Sequence, residues 1–137
     1  MSTRKYKVLV VDDDPDIRDL VSQFLSLEGH FCEMAGDGAE ALNKATNGQF
    51  DALITDIRMP RMNGLKLADE VLKGNNSLPV MIMTGEMDEV TAERIFSAGA
   101  KDFIYKPFSM VELGVRFARM MRENESVQTF ISPNISL

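Results

Sequence analysis

The feature that most restricts the fold of this chain is a regular alternation of short apolar runs and helical patterns. The apolar runs are Lys7–Val11, Phe31–Ala35, Ala52–Thr55, Val80–Met83 and Phe103–Tyr105. All but the second run are nearly continuous in apolar residues. Such runs are typical of strands that are buried on both faces of a parallel sheet. We therefore predict a sheet of five parallel strands.

A helical pattern with its own start signal follows each predicted strand. The expected N-caps are Asp14, Asp37, Asn63, Asp88 and Ser109. The helices that they open are expected at residues 15–28, 38–46, 64–72, 89–98 and 110–122. Alternation of this kind predicts an α/β fold, a doubly wound parallel sheet with right-handed crossovers and helices on both faces.

Composition excludes several classes of protein. The net charge is −6 and no basic stripe is visible, so we expect no direct binding of nucleic acid. No stretch approaches the ~18 apolar residues of a membrane span, and we expect a soluble, cytoplasmic protein. Cys32 is the only cysteine, which excludes an internal disulfide. We expect one domain over residues 1–122, followed at residues 123–137 by a polar tail or the start of a linker.

Carboxylates are concentrated where two of the predicted strands end. Asp12, Asp13 and Asp14 follow the first strand, and Asp56 follows the third. Ligands of doubly wound sheets bind outside the carboxyl ends of the strands. If these two strands are neighbours, about 4.8 Å apart, the carboxylates lie close together around one small opening, the mouth of the expected site. Crowded carboxylates repel one another, and a hard divalent cation such as Mg²⁺ relieves that repulsion. Because Asp14 is explained as a helix cap, the expected metal-site acids are the other three.

Two further polar residues fall at strand ends. Thr84 ends the fourth strand and Lys106 follows the fifth. A hydroxyl and an ammonium group are suited to hold the oxygens of a phosphoryl group while a metal neutralises the remaining charge. Carboxylates that form aspartyl-phosphates are an established class of nucleophile. Together these residues indicate phosphoryl chemistry rather than a set of solubilising loop aspartates.

Five stretches in order resemble the receiver domain of response regulators, over roughly residues 5–122. They are Val8–Leu20, Gly36–Leu42, Phe50–Leu67, Leu78–Gly85 and Ala98–Phe108. Each stretch alone is a weak signal, but all five occur with compatible spacing. The resemblance implies a flavodoxin-like strand order, 2-1-3-4-5, with five helices on the two faces.

The resemblance also implies roles for the acidic residues. Asp56 matches the phosphoacceptor. Asp13 matches a direct Mg²⁺ ligand, and Asp12 matches an acid that acts mainly through water. Arg58 occupies the position at which the family uses a backbone carbonyl as a metal ligand, so its side chain is irrelevant to that role.

A second group of roles concerns the phosphoryl oxygens and the conformational switch. Thr84 and Lys106 match the residues that hold those oxygens, and the Lys106–Pro107 bond matches a cis peptide bond. In the family, the threonine moves toward the phosphoryl group while an aromatic residue turns inward. That aromatic position is Phe103 here, where tyrosine is commoner, so no hydroxyl can take part in the switch.

Two variable positions flank the expected site. Arg58 lies two residues after the acceptor, and Glu86 lies two residues after Thr84. By resemblance, these positions tune the rate at which water reaches the acyl phosphate. We hypothesise that an Arg58–Glu86 ion pair partly screens the mouth of the site, although an exposed pair of this kind contributes little free energy.

These observations predict a phosphorylation-dependent switch of a two-component system. The implied phosphodonor is a sensor histidine kinase or a histidine phosphotransfer protein. The chain is expected to be no enzyme beyond its own phosphorylation and slow dephosphorylation, and its downstream target or output domain is unknown. A homodimer through the fourth and fifth helices is a candidate assembly, with an apolar patch among Ile95, Phe96, Val115 and Met120.

Two alternatives remain open at this stage. A haloacid dehalogenase-like phosphatase also places Asp-x-Asp after its first strand. It normally has Thr or Val two residues after the second Asp, where this chain has Asp16. The other alternative is a phosphate-independent, receiver-like adaptor.

Several residues are predicted to be structural. His30, the only histidine, is expected in a surface loop, and Cys32 is expected to be a small core residue of a strand. Most of the ten methionines are expected to fill the core, including Met81, Met83, Met120 and Met121.

Overall fold

Five parallel strands form one sheet in the computed structural model, which describes residues 4–85 and 88–131, the side chains of residues 89, 90 and 127–131 excepted. The strands are β1 Lys7–Val11, β2 Phe31–Ala35, β3 Ala52–Asp56, β4 Val80–Thr84 and β5 Asp102–Tyr105. Their order across the sheet is β2-β1-β3-β4-β5, as the resemblance implied. Every residue of β3 and β4 is buried, which explains why both strands consist mainly of apolar residues and carry polar side chains only toward their carboxyl ends.

Each strand is followed by a helix. The helices are α1 Pro15–Leu27, α2 Gly38–Asn47, α3 Gly64–Gly74, α4 Glu89–Ser97 and α5 Met110–Ile131. The predicted N-caps are confirmed for α1 to α4, because each capping side chain accepts a hydrogen bond from a main-chain N–H of the first turn. The hydroxyl of Ser109 accepts one from Glu112 N in the same way, at 3.0 Å.

The sheet divides the core into two apolar layers. One layer includes Leu9, Leu53 and Ile82 and packs against the side of α2 and α3. The other includes Val10, Ile54 and Phe117 and packs against the side of α1 and α5. The four methionines expected in the core, at positions 81, 83, 120 and 121, all lie in this second layer. Two covered faces identify the doubly wound class predicted from the sequence.

The last helix is longer than predicted. We expected α5 to end at about Arg122, but it continues to Ile131. No glycine or proline occurs between Arg122 and Pro133 to end it. The helix is also held by Tyr6, whose hydroxyl donates a hydrogen bond to the Glu125 carboxylate. The division into a domain at residues 1–122 and a tail at residues 123–137 stays a prediction, and residues 132–137 lie outside the described part of the chain.

His30 is more enclosed than predicted. Its ring is half-buried, stacked on Tyr6 with a centroid distance of 5.5 Å and edge-on to Phe117 at 5.2 Å. Burial lowers its pKa. His30 therefore lies in the loop before β2, as predicted, but it is half-buried rather than at the surface. Cys32 is half-buried against the α1 and α5 layer, and burial raises the pKa of its thiol. Among the residues that the structure describes, none of the helices combines the length and the apolar character of a membrane span.

Candidate functional site

Four neighbouring strands end at the same edge of the sheet, and each end carries a predicted site residue. The register pairs Val11 with Thr55, one residue before Asp12 and Asp56 respectively. It also pairs Asp56 with Met83, directly before Thr84. Thr84 in turn pairs with Tyr105, directly before Lys106. Parallel pairing therefore brings acids, a hydroxyl and an ammonium group from distant parts of the sequence to one edge.

The three expected metal-site acids form a single cluster. One carboxylate oxygen from each of Asp12, Asp13 and Asp56 lies within 4.8 Å of the others. Asp12 is fully buried and Asp56 is 7 % exposed, whereas Asp13 is exposed at the mouth. A set of oxygen donors that is half open to water fits Mg²⁺, which prefers carboxylates and keeps several waters of its own.

The ammonium group of Lys106 bridges two of these acids. Its Nζ lies 2.9 Å from Asp12 Oδ2 and 3.2 Å from Asp56 Oδ1. Burial lowers the pKa of Lys106, but its hydrogen bond to Asp12 and the charge of Asp56 outweigh that effect, so the pKa lies above its ordinary value. The lysine is therefore a fixed cation at the site.

The environment of Asp56, in contrast, disfavours the charged form of its side chain. Burial raises the pKa of its carboxyl group, and the negative charge of Asp12 raises it further, while Lys106 partly compensates. A carboxylate held in a site that disfavours its charge gains from any further cation nearby. The electrostatics of the cluster thus favour a bound divalent ion.

The backbone at Lys106 continues the pairing between β4 and β5. The Lys106–Pro107 peptide bond is cis, as the resemblance implied. The main-chain N–H of Lys106 donates to the carbonyl oxygen of Thr84 at 2.7 Å, which extends the β4–β5 pairing by one residue. Thr84 is 3 % exposed, and its position at the end of β4 lies next to that of Asp56 in the sheet.

Gly64 is a residue of the site that the sequence reasoning did not identify. A Cβ atom at this position would overlap the main-chain carbonyl oxygen of Asp56 and lie 2.9 Å from its carbonyl carbon. Gly64 N also donates to Ile57 O at 2.8 Å. The start of α3 is thereby packed directly against the expected acceptor. The sequence signal was a glycine at the first position of a helix, next to its N-cap Asn63.

The structure describes only some of the residues predicted to tune or switch the site. Arg58 is exposed in the loop after β3. Glu86 lies outside the described residues, so the predicted Arg58–Glu86 ion pair stays a prediction. Phe103 on β5 is half-buried, with its ring edge-on to Phe96 at 5.7 Å and the Arg116 guanidinium 5.9 Å from its centroid.

The face formed by α4, β5 and α5 carries exposed apolar side chains. Phe96 on α4 is 50 % exposed and Val115 on α5 is 63 % exposed. Ile95 and Met120, which we named with them, are buried and belong to the core. Tyr105 and Val111 are exposed on the same elements, and the sequence reasoning did not identify them.

Comparison with known proteins assigns this arrangement to a family. The family model for the response regulator receiver domain matches residues 8–123. Response regulator MprA of Mycobacterium sp. (strain KMS) is 33% identical over 132 residues, which cover 95% of this chain and 56% of that protein. MprA of Mycobacterium avium is 35% identical over 121 residues, or 87% of this chain and 52% of that protein. The chain thus spans about half the length of the curated relatives it matches.

Solved structures with the same fold are also similar in sequence. Chemotaxis protein CheY4 of Vibrio cholerae has a TM-score of 0.82 and 34% identity, covering 85% of this chain and 99% of that one. A CheY-like receiver domain protein from Methanospirillum hungatei has a TM-score of 0.85 and 29% identity, covering 90% and 98%. NtrX of Brucella abortus has a TM-score of 0.87 and 35% identity, covering 93% of this chain and 29% of that one.

Proposed function

Because this chain belongs to the response regulator receiver domain family, we propose that it is a phosphorylation-dependent switch whose acceptor is Asp56. One observation carries this proposal. The Asp56 carboxylate lies in a cluster with two other acids, and the Lys106 ammonium group is 3.2 Å from its Oδ1. A nucleophilic carboxylate, a metal-binding acid pair and a fixed cation are the parts that phosphoryl transfer to an aspartate requires.

In the proposed reaction, a carboxylate oxygen of Asp56 attacks the phosphorus of a phosphohistidine. The new O–P bond makes a mixed anhydride, the P–N bond breaks, and the imidazole leaves with the electron pair. Lys106, which now contacts Asp56 Oδ1, would pair with a phosphoryl oxygen instead. The hydroxyl of Thr84, at the end of the neighbouring strand, would donate to a second oxygen. Hydrolysis by water returns the carboxylate and releases phosphate, so the chain acts as a switch and is no enzyme toward an external substrate.

The acidic cluster fits Mg²⁺. Asp13 and Asp56 would be direct ligands, Asp12 would act mainly through water, and the main-chain carbonyl of Arg58 would complete the protein ligands. Asp12 suits the indirect role because Lys106 holds its Oδ2 at 2.9 Å and Asp14 N donates to its Oδ1 at 3.0 Å. A bound Mg²⁺ supplies positive charge that neutralises the phosphoryl oxygens.

The proposed output is a change on the face of α4, β5 and α5. Movement of Thr84 toward the phosphoryl group leaves room for Phe103 to turn inward, away from Phe96 and Arg116, which its ring now contacts. The exposed side chains of Phe96 and Val115 offer apolar area for a protein partner or for a second copy of the chain.

The phosphodonor that we propose is a sensor histidine kinase or a histidine phosphotransfer protein, acting in the cytoplasm. Receiver domains in the curated relatives belong to proteins almost twice as long as this chain. The output of the switch would therefore come from an attached domain or from a separate partner protein. Arg58 and Glu86 are proposed to set the lifetime of the phosphoryl group.

Incubation with acetyl phosphate, followed by mass spectrometry of the intact chain and its peptides, tests this proposal. We expect one phosphoryl group per chain, on Asp56, with Mg²⁺ present, and little or none with a chelator. Asp56→Asn removes the acceptor and should abolish modification. Asp69→Asn, an exposed aspartate of α3, is the matched control and should be modified like wild type.

The alternatives give different results in the same experiment. A haloacid dehalogenase-like phosphatase would turn over acetyl phosphate continuously, and a phosphate-independent adaptor would remain unmodified. Modification that persists in Asp56→Asn would contradict the assignment of the acceptor.

A further inference from the structure

The guanidinium group of Arg18 contacts the main chain of the acidic cluster at Asp12. Arg18 belongs to α1 and is half-buried. Its Nη1 donates a hydrogen bond of 3.0 Å to the main-chain carbonyl oxygen of Asp12. The contact therefore reaches the peptide unit that joins Asp12 to Asp13, and it involves a carbonyl rather than either carboxylate.

Asp13 is the one acid of the cluster that packing does not hold. It is exposed, whereas Asp12 and Asp56 are buried. Its direction depends on the two peptide units on either side of it, because each is planar and rigid. Arg18 holds the preceding unit through the Asp12 carbonyl. The following unit is held by the N–H of Asp14, which donates to Asp12 Oδ1 at 3.0 Å.

Gly36 provides the space in which Arg18 lies. A Cβ atom at this position would come within 2.8 Å of Arg18 Nη1. Ala35, the residue before it, accepts a hydrogen bond of 3.3 Å from Asp12 N. The end of β2 therefore borders both the guanidinium group and the start of the acidic loop.

We propose that Arg18 is a positioning residue that fixes the Asp12–Asp13 peptide unit so that the exposed Asp13 carboxylate is directed into the Mg²⁺ site. This inference rests on the proposed function, because it assumes that the cluster binds Mg²⁺. Partners that orient metal ligands commonly change metal affinity by about 10- to 100-fold when they are removed.

Charge and positioning predict opposite effects of removing Arg18. Its positive charge repels a cation, so loss of that charge alone would tighten Mg²⁺ binding. Loss of the hydrogen bond frees the peptide unit before Asp13, so the carboxylate must be ordered when the ion binds and the affinity falls. The sign of the change therefore separates the two roles.

The test is a Mg²⁺ titration of the whole chain, followed by the NMR shifts of the Asp13 and Asp56 amides. We expect Arg18→Met to weaken binding by on the order of tenfold, and Arg18→Lys, which keeps a donor and the charge, to lose less. Arg94→Met removes an exposed arginine from the last turn of α4 and should leave the affinity at or slightly above that of wild type.

Gly36→Ala provides a second variant that keeps Arg18. The added methyl group should displace the guanidinium group and weaken Mg²⁺ binding in the same direction, and circular dichroism would verify the fold of each variant. Equal or tighter binding by folded Arg18→Met would overturn the inference while leaving the proposed function intact. Absence of Mg²⁺ binding by wild type would instead contradict the proposed function itself.

Discussion

The first residue of α3, Gly64, packs directly against the main chain of Asp56. No side chain fits between them, since a Cβ atom would also lie 3.1 Å from Ile57 Cα. The neighbouring atoms belong to the backbone and cannot rotate away as a flexible side chain could. The position of the proposed acceptor therefore depends on a residue that has no functional group.

Gly64→Ala should consequently destabilise the protein by about 1–3 kcal/mol, the usual effect of overpacking. The measurement is the free energy of unfolding in urea. Gly74→Ala is the matched control at the other end of α3, where a Cβ atom would meet nothing within 4 Å. It should be neutral or stabilise the chain by up to about 1 kcal/mol. Equal stability of the two variants would contradict the packing argument.

The sequence shows a glycine at the first position of α3, next to its N-cap Asn63, but it does not reveal the contact of that glycine with Asp56. A cap acts within one turn, and its signal lies within three or four residues of the sequence. The contact with Asp56 joins residues that meet only after a loop has returned the chain to the end of β3. The contact of Arg18 was not predicted for a related reason. Its partner is the main-chain carbonyl of Asp12, and every residue has such a carbonyl, so the residue types in the sequence do not indicate the contact.

His30 is a second residue whose environment depends on tertiary contacts. Its Nδ1 accepts a hydrogen bond from Tyr6 N at 3.1 Å, which requires the neutral ring. Burial lowers the pKa of His30, an effect that Lys5 reinforces and Glu28 opposes. The folded state therefore takes up this proton at lower pH than the unfolded state does. The stability linked to His30 is present above about pH 6.5 and is lost as the pH falls through the folded pKa.

His30→Asn keeps an acceptor near Tyr6 N and removes the titration. We expect wild type to lose stability relative to this variant as the pH falls below about 6.5. Unfolding free energies measured in urea at several pH values provide the comparison, and other titrating groups cancel in the difference. A difference that stays constant with pH would contradict this account of His30.

Among the elements, α5 differs most from expectation, because it continues past Arg122 and contacts distant in sequence hold it at Glu125. Glu125 accepts a hydrogen bond from the Tyr6 hydroxyl and lies 3.6 Å from Arg4 Nε. Tyr6 itself is buried against Phe117, with ring centroids 6.2 Å apart. The segment just before β1 thus anchors the helix at Glu125, beyond the residue at which it was predicted to end.

Tyr6→Phe removes the hydroxyl and keeps the ring. A hydrogen bond to a carboxylate contributes about 1–3 kcal/mol, so local opening of the helix around Glu125 should become about fivefold more frequent or more. The exchange rates of the α5 amide hydrogens would measure this local opening. Tyr105→Phe, at the half-exposed second tyrosine, is the control. Unchanged exchange near Glu125 in Tyr6→Phe would mean that other contacts hold this part of α5.

The strands were more predictable than the ends of the helices. β3 and β4 are buried on both faces, so burial itself produces the continuous apolar runs that identify them. β2 is an edge strand with exposed Phe31, and its pattern is correspondingly mixed. The extension of α5 past Arg122 carries no comparable signal, because the contact of Glu125 with Tyr6 joins residues that are far apart in sequence.

For the molecule as a whole, folding brings like charges together at one end of the sheet. Three carboxylates share one site, and Lys106 offsets only part of their repulsion. Mg²⁺ that binds the folded state stabilises it by mass action, by about 2.7 kcal/mol at a concentration 100 times the Kd. We expect millimolar Mg²⁺ to raise the melting temperature and Asp13→Asn to reduce that rise. A wild-type melting temperature that does not respond to Mg²⁺ would contradict the metal assignment.

The convergence of the site could be anticipated only once the strand order was known. Periodicity predicts five parallel strands but does not say that β1 is next to β3, and the order 2-1-3-4-5 came from resemblance. The carboxyl ends of parallel strands lie at one edge in any order, but this order makes the ends of β1, β3, β4 and β5 neighbours. The Lys106–Asp12 contact at 2.9 Å is a consequence of topology rather than of any local motif.

The most direct measurement of this account is an amide NMR titration with beryllofluoride and Mg²⁺, which mimic a bound phosphoryl group. We predict that the resonances of Asp13, Asp56, Thr84 and Lys106 change together at one site, that the change extends to Phe103, and that Asp56→Asn abolishes all of it. Changes confined to other residues, or an undiminished response in Asp56→Asn, would contradict the claim that these strand ends form one phosphoryl-acceptor site.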